Sequence, residues 1–249
     1  MPSNLAKIID NECVNIGVYK MKVPYTGTED PKAGQFFMLK SPTAATLLPR
    51  PISVCDYQDG VLTFLYQTVG RGTGELAQMQ AGDDLLVTGP LGNGFPLDEI
   101  RGRVALVSGG IGTAPMVLTA QRLKDAGCVV ECYCGFRNGK FLTQELAERC
   151  GQVHITTEDG SEGTKGLVTE ILNPSEYDAV LCCGPEPMMR AVTMLCKQAD
   201  TAVYVSLENK MACGVGGCLV CTCTDINGKN LRTCKEGPVF RGEVINFDA

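Results

Sequence analysis

The chain is predicted to fold as an antiparallel β-barrel, then a parallel-sheet α/β lobe, then a small cysteine-rich C-terminal region. Three observations predict this: short β-type runs up to about Pro96, strand–helix alternation from Arg101 onward, and crowding of Cys213, Cys218, Cys221, Cys223 and Cys234 near the end. A chain of 249 residues exceeds one average domain, so two lobes and an appendage fit its length. The changes of texture place the boundaries at 1–99, 100–204 and 205–249.

In the first lobe VNIGVYKMKV, GQFFMLK, PISVCDY, VLTFLYQT and DLLVTG are separated by Gly, Pro and Asp. Several strands at such short spacing predict an antiparallel barrel or sandwich. From Arg101 the buried-looking strand RVALVSG is followed by the helical stretch TAPMVLTAQRLKDAG and the apolar run CVVECYCG, which is a βαβ unit. LTQELAERC is a further helix candidate leading into VHITTED, and the strand DAVLCCG precedes the helix PEPMMRAVTMLCKQAD. That alternation predicts a parallel sheet covered by helices. The tail from about Ser206 is rich in Gly and Cys and has no periodicity long enough for a helix.

Composition bounds the function. Hydrophobic residues make up 44% and charged residues 20%, as in an ordinary globular protein. A net charge of −6 with interspersed signs leaves no basic face for a phosphate backbone, which argues against nucleic-acid binding. The N-terminus lacks the pattern of a secretory signal, and no apolar run reaches membrane-spanning length, so the chain is expected to be cytoplasmic. Fourteen cysteines in a chain of this kind point away from a secreted disulfide scaffold. Nine are scattered, and the crowding of the other five suggests a metal site.

The spacing Cys213-x4-Cys218-x2-Cys221, with Cys234 after a further twelve residues, matches the plant-type ferredoxin arrangement of three clustered thiolates and one distant one. A cluster with bridging sulfides needs a loop that wraps it and aims backbone N–H groups at the sulfurs. Gly214, Gly216 and Gly217 allow such a path. The rivals are incidental buried thiols and a structural zinc site, which also uses four thiolates but usually draws them from two CxxC knuckles. Cys223 lies two residues from Cys221 in a strand-like run and is expected on the opposite face, outside the ligand set. Leu219 and Val220, beside the expected ligands, read either as an apolar rim for a partner or as simple packing.

In the second lobe Ser108 to Met116, SGGIGTAPM, joins a predicted strand to a predicted helix. That is where a pyrophosphate sits on a helix N-terminus, with Gly109, Gly110 and Gly112 permitting close approach and Thr113 in the same candidate cofactor turn; a merely tight turn is the alternative. The GxGxxG fingerprint and its acidic partner are absent, because GFRN stands at the end of the next strand. The second turn, Cys183-Gly184-Pro185-Glu186-Pro187-Met188, again lies between strand and helix, so both turns are expected to face one crevice. His154, the sole histidine, is expected to be structural, EDGSEG to be a solvated loop, and Met188 and Met189 to pack in the core.

Arg50-Pro51-Ile52-Ser53, Gly72-Thr73, GGIGTAP and CGPEPM, taken in order, resemble the ferredoxin–NADP reductase superfamily. With the terminal CxxxxCxxC…C added, the resemblance is closest to the electron-transfer subunits of class B dihydroorotate dehydrogenases, and it covers essentially the whole chain. The resemblance implies a flavin-binding barrel, a nucleotide-binding domain and an iron–sulfur region, with FAD, a [2Fe–2S] cluster and NAD(H). It places Arg50 on the FAD pyrophosphate, Ser53 by the isoalloxazine, Leu65, Tyr66 and Gln67 on the next flavin-binding strand, and Gly72-Thr73 on a phosphate-binding turn. Cys183 then faces the nicotinamide, where a plain core thiol is the alternative, and Gly184 and Pro185 belong to the same cofactor turn. Leu91 to Phe95, LGNGF, matches a family segment between the lobes. The implied partner is an FMN-containing dihydroorotate dehydrogenase catalytic subunit, in a heterotetramer of two of each chain, so this chain would be an NAD-linked flavoprotein oxidoreductase subunit without the orotate site. Two rivals stand beside this reading: the same redox module serving ferredoxin, a hydrogenase or sulfur, and a zinc-stabilised nucleotide-binding module.

Overall fold

A computed structural model describes residues 4–43, 45–137 and 139–248. The first lobe is built from β1 (Asn4–Lys7), β2 (Asp10–Asn15), β3 (Val18–Pro24), β4 (Phe36–Lys40), β5 (Arg50–Gln58), β6 (Val61–Gln67) and β7 (Asp84–Leu91). These form one antiparallel sheet in the order β1-β7-β4-β5-β6-β3-β2, curled into a half-barrel. The two edges meet where β1 passes into β2: Ile8 N–H donates to Asp83 C=O at 3.0 Å and Ile9 N–H to Lys22 C=O at 2.8 Å. Inside lie Met21, Val23, Phe37, Leu39, Val54, Leu62, Phe64 and Leu85. The run VNIGVYKMKV is not one strand but parts of two, because Gly17 at φ +69° reverses the chain between β2 and β3.

The second lobe contains β8 (Arg103–Gly109), β9 (Val129–Phe136), β10 (Gln152–Thr157), β11 (Thr164–Lys165), β12 (Ala179–Cys183) and β13 (Ala202–Ser206), all parallel. With α1 (Arg71–Ala77) in the first lobe, the helices here are α2 (Ala114–Asp125), α3 (Thr143–Ala147), α4 (Val168–Ile171) and α5 (Glu186–Gln198). Strand order β11-β10-β9-β8-β12-β13 steps outward in both directions from β8, which is a doubly wound sheet. α2 is buried on both sides: Met116, Val117, Ala120 and Leu123 pack in the sheet-side core, while Leu118 joins the barrel core. A helix so apolar around its circumference belongs between two layers, and α2 is what joins the lobes. On the flank Arg149 Nη2 pairs with Asp56 Oδ2 across the lobes at 2.8 Å.

The tail adds the hairpin β14 (Thr222–Thr224) and β15 (Asn230–Arg232), and then β16 (Val239–Arg241). β16 leaves the thiol region and pairs antiparallel with β13, completing the edge of the parallel sheet. His154 stacks on Tyr133 at 4.5 Å and lies 3.4 Å from Glu131, inside a network in which Tyr177 O–H donates to Glu131 at 2.9 Å. Met189 is buried, while Met188 reaches over Gly109 and Gly184. Among the described residues no helix is long and apolar enough to cross a membrane.

Candidate functional site

A cleft of about 740 Å³ opens between the curled sheet and the carboxyl edge of the parallel sheet, a size suited to a small-molecule site. β5 gives Arg50, Pro51, Ile52 and Ser53 to its wall, β6 gives Leu65, Tyr66 and Gln67, α1 gives Thr73, and the second lobe gives Gly112 and Cys183. The expected flavin strands and the expected nicotinamide turn therefore border one space. Tyr66 is held in place by its O–H, which donates to Asn11 Oδ1 at 2.9 Å, and by stacking on Tyr19 at 5.8 Å. Burial pushes its phenol well above the ordinary range.

Arg50 lies across the start of α1 because Gly72 leaves room for it: a Cβ there would stand 2.0 Å from Arg50 Nε. Its Nη1 donates to Pro49 C=O at 3.3 Å, and no carboxylate among the described residues pairs with it. A guanidinium with free donors on a cleft wall is suited to an anionic group. The Thr73 hydroxyl is committed to its own turn, accepting from Val69 N–H at 3.0 Å and Gly70 N–H at 3.2 Å.

The two strand-end turns touch. A Cβ at Gly112 would meet Cys183 C=O at 2.3 Å, an atom that cannot move aside, so glycine is required for the contact. Gly109 packs on Pro185, and Gly184 on Gly109, so these three form the junction, while Gly110 turns the chain at φ +52°. Thr113 is buried with its Oγ1 3.0 Å from Ser108 Oγ and braces the turn from inside. Burial first, and the Glu208 carboxylate second, push the Cys183 thiol up to about 12, so it stays protonated across the neutral range.

The thiols lie beside this cleft. Cys234 receives Gly216 N–H at 3.1 Å, and Cys221 receives Cys234 N–H at 3.4 Å. Burial opposes ionisation of Cys213, yet the N–H groups of Val215, Gly217 and Cys218 together with the Cys218 thiol bring it down to about 6. Val215 N–H also lies 3.5 Å from the Cys213 sulfur, so backbone donors of this loop reach three of the four spaced thiols. Gly214 and Gly216 take φ +69° and +81°, as the loop path requires, whereas Gly217 has an ordinary φ and open space around it. Cys223 faces away and packs with the second-lobe core. Leu219 and Val220 are 63% and 54% exposed, so the packing alternative for them fails. Asn93 of LGNGF ties the last turn to the barrel, its side chain donating to the carbonyls of Lys235 and Glu236 at 3.0 Å each and its N–H to Gly237 at 2.6 Å.

The whole chain has close counterparts among known proteins. It is 49% identical over 243 residues to the dihydroorotate dehydrogenase B (NAD(+)) electron transfer subunit of Clostridium perfringens, covering 97% of either chain. The chain belongs to the family of dihydroorotate dehydrogenase B electron transfer subunits. The subunit of Listeria monocytogenes is 38% identical over 251 residues, covering 97% of this chain and 98% of its own. A family model for the iron–sulfur cluster binding domain of dihydroorotate dehydrogenase B matches residues 208–246, the stretch that contains all four spaced thiols. The solved structure of an NADH-dependent reduced ferredoxin–NADP oxidoreductase superposes with a TM-score of 0.88 at 28% identity, covering 99% of this chain and 91% of that one. A ferredoxin–NADP+ reductase from Neisseria gonorrhoeae, with bound FAD and NADP, shares the fold at a TM-score of 0.65 and 17% identity, over 84% of this chain and 95% of that one.

For an electron transfer subunit of this family, one part of the site escapes sequence motifs. The residues Ser206 to Met211, running from β13 to the thiol loop, line the cleft throughout. Their signal is position: they follow the last parallel strand, at the carboxyl edge where such sheets bind ligands. Phe36 of β4 and Met211 also matter, because both line the cleft and pack against the cluster of buried side chains that contains Cys221 and Cys234.

Proposed function

We propose that this chain passes electrons from NADH through FAD and a [2Fe–2S] cluster to an FMN-containing catalytic subunit that interconverts dihydroorotate and orotate. Family membership supports the course of the reaction, and one observation carries it: a single layer of side chains, Phe36 and Met211, stands between the cleft and the buried thiols. The chain is an NAD-linked flavoprotein oxidoreductase subunit, and the orotate site belongs to its partner.

When bound, FAD supplies the conversion of a hydride into single electrons, which the cluster carries one at a time. Arg50 would hold the FAD pyrophosphate with the donors that no carboxylate among the described residues occupies. Ser53, Leu65, Tyr66 and Gln67 border the flavin ring. Gly112 lets the second strand end close on the first, and Cys183 presents a neutral thiol to the nicotinamide. Cys213, Cys218, Cys221 and Cys234 would hold the cluster, and their spacing of three clustered thiols and one distant one supports a two-iron cluster over a zinc site built on two CxxC knuckles. Val215, Leu219 and Val220 form an apolar rim around these thiols, which supports docking of the partner at the cluster. The assembly we propose is two copies of each subunit, working in the cytoplasm.

The test is NADH-dependent orotate reduction by the tagged protein purified anaerobically from its own host with whatever subunit accompanies it. Activity that disappears when the partner is stripped away is the expected result. Flavin and iron without orotate reduction would keep the redox module and remove the dihydroorotate assignment in favour of another acceptor.

A further inference from the structure

Arg232, the last residue of β15, turns its guanidinium toward the thiol loop. Nη1 donates to Gly216 C=O at 3.0 Å, Nε donates to Glu236 at 3.0 Å, and Nη2 reaches the second oxygen of that carboxylate. Glu236 is fixed in turn by the backbone, accepting Arg232 N–H at 2.7 Å. A planar fork of donors holds a carbonyl and a carboxylate at once, which an ammonium does less well.

The carbonyl it holds is not an arbitrary one. In a planar trans peptide C=O and N–H point in opposite directions, so drawing the Gly216 carbonyl toward Arg232 aims the Gly217 N–H the other way. The preceding peptide sends Gly216 N–H to Cys234 Sγ at 3.1 Å. Gly216 is thus held at both ends, its N–H on the Cys234 sulfur and its C=O on Arg232, and Arg232 fixes its orientation. N–H bonds and positive charge near cluster sulfurs stabilise the reduced, more negative state. Glu236 acts on the same guanidinium with opposite charge.

We infer that Arg232 is a positioning residue that raises the reduction potential of the cluster by orienting the Gly216–Gly217 peptide, with Glu236 setting how much of its charge the cluster feels. The inference rests on the cluster ligation proposed above. Neither residue lines the flavin cleft, so the flavin potentials are expected to stay where they are.

The experiment is a redox titration of the purified complex, with the reduced cluster followed by EPR and the flavins by absorbance. Arg232→Gln is expected to shift the cluster midpoint to more negative values and Glu236→Gln to more positive ones, with flavin midpoints unchanged. A loosening of the loop would move both variants the same way, so shifts of equal sign, or no shift in Arg232→Gln, overturn the inference. Should Arg232→Gln fail to retain iron, Glu236→Gln decides alone: a raised midpoint supports the role, and an unchanged or lowered one overturns it. A wild-type protein without the EPR signal of a two-iron cluster overturns the ligation reading and this inference with it, a failure told apart from the others by the wild-type spectrum.

Discussion

Gly72 and Arg50 form one functional unit although 22 positions separate them, because the guanidinium occupies the space a side chain at 72 would need. With Arg50 on the FAD pyrophosphate as proposed, replacing it by Ala is expected to remove charge-assisted bonds of about 1.5–3 kcal/mol, which corresponds to roughly ten- to a hundredfold weaker FAD binding. Gly72→Ala is expected to act in the same direction by displacing the guanidinium. The measurement is FAD and iron content after gel filtration: flavin falls in both variants and iron is retained. Parallel loss of iron would show that the fold, and not the phosphate contact, had been damaged. The motif Arg50-Pro51-Ile52-Ser53 is visible in the sequence, whereas the reason for Gly72 appears only when β5 and α1 are brought together.

Among the elements, β16 ties the thiol region to the parallel sheet. Three residues following Pro238 carry the chain back to β13, where Phe240 faces Val205 and is buried with Val180, Val203 and Val205. Phe240→Ala is expected to cost about 3–5 kcal/mol of stability, read as a lower denaturant midpoint at unchanged slope in guanidinium unfolding. A loss under about 1 kcal/mol would mean that the strand is a surface ornament on a sheet that stands without it. This pairing also shows what a sequence can disclose. Long apolar runs such as RVALVSG and DAVLCCG announce their strands locally, and the thiol spacing announces the cluster, because periodicity and ligand spacing are local properties. β16 is too short to show alternation, and its partner lies more than thirty positions earlier, so nothing local records that the thiol region hands its chain back to the nucleotide lobe. The short helix α1 and the wall Ser206 to Met211 were hidden for the same reason, since their roles come from what faces them.

The distribution of thiols over the whole molecule predicts how its stability depends on pH. Burial pushes Cys134 up to about 11 and Cys196 up to about 12, and it raises Cys55 and Cys182 as well. An ordinary thiol ionises near about 8.5, so below that value folded and unfolded chains are both protonated at these positions and no difference arises. Above it the unfolded chain releases protons that the folded chain retains. The unfolded state then binds fewer protons, and stability falls as pH rises, by about 1.4 kcal/mol per pH unit for each thiol, until the folded value is reached. Tyr66 and Tyr177, also raised by burial, add to the decline only above the ordinary tyrosine range near about 10. Anaerobic guanidinium unfolding at pH 8, 9 and 10 is therefore expected to show a steep loss between 9 and 10, and a flat profile would refute the account. Cys196 isolates the effect, because burial alone shifts it and it lies on α5 away from the thiol loop. Cys196→Ala is expected to lower stability slightly at pH 8 while making the slope above pH 9 shallower by one thiol's share of about 1.4 kcal/mol per unit, a combination that a simple packing defect does not produce.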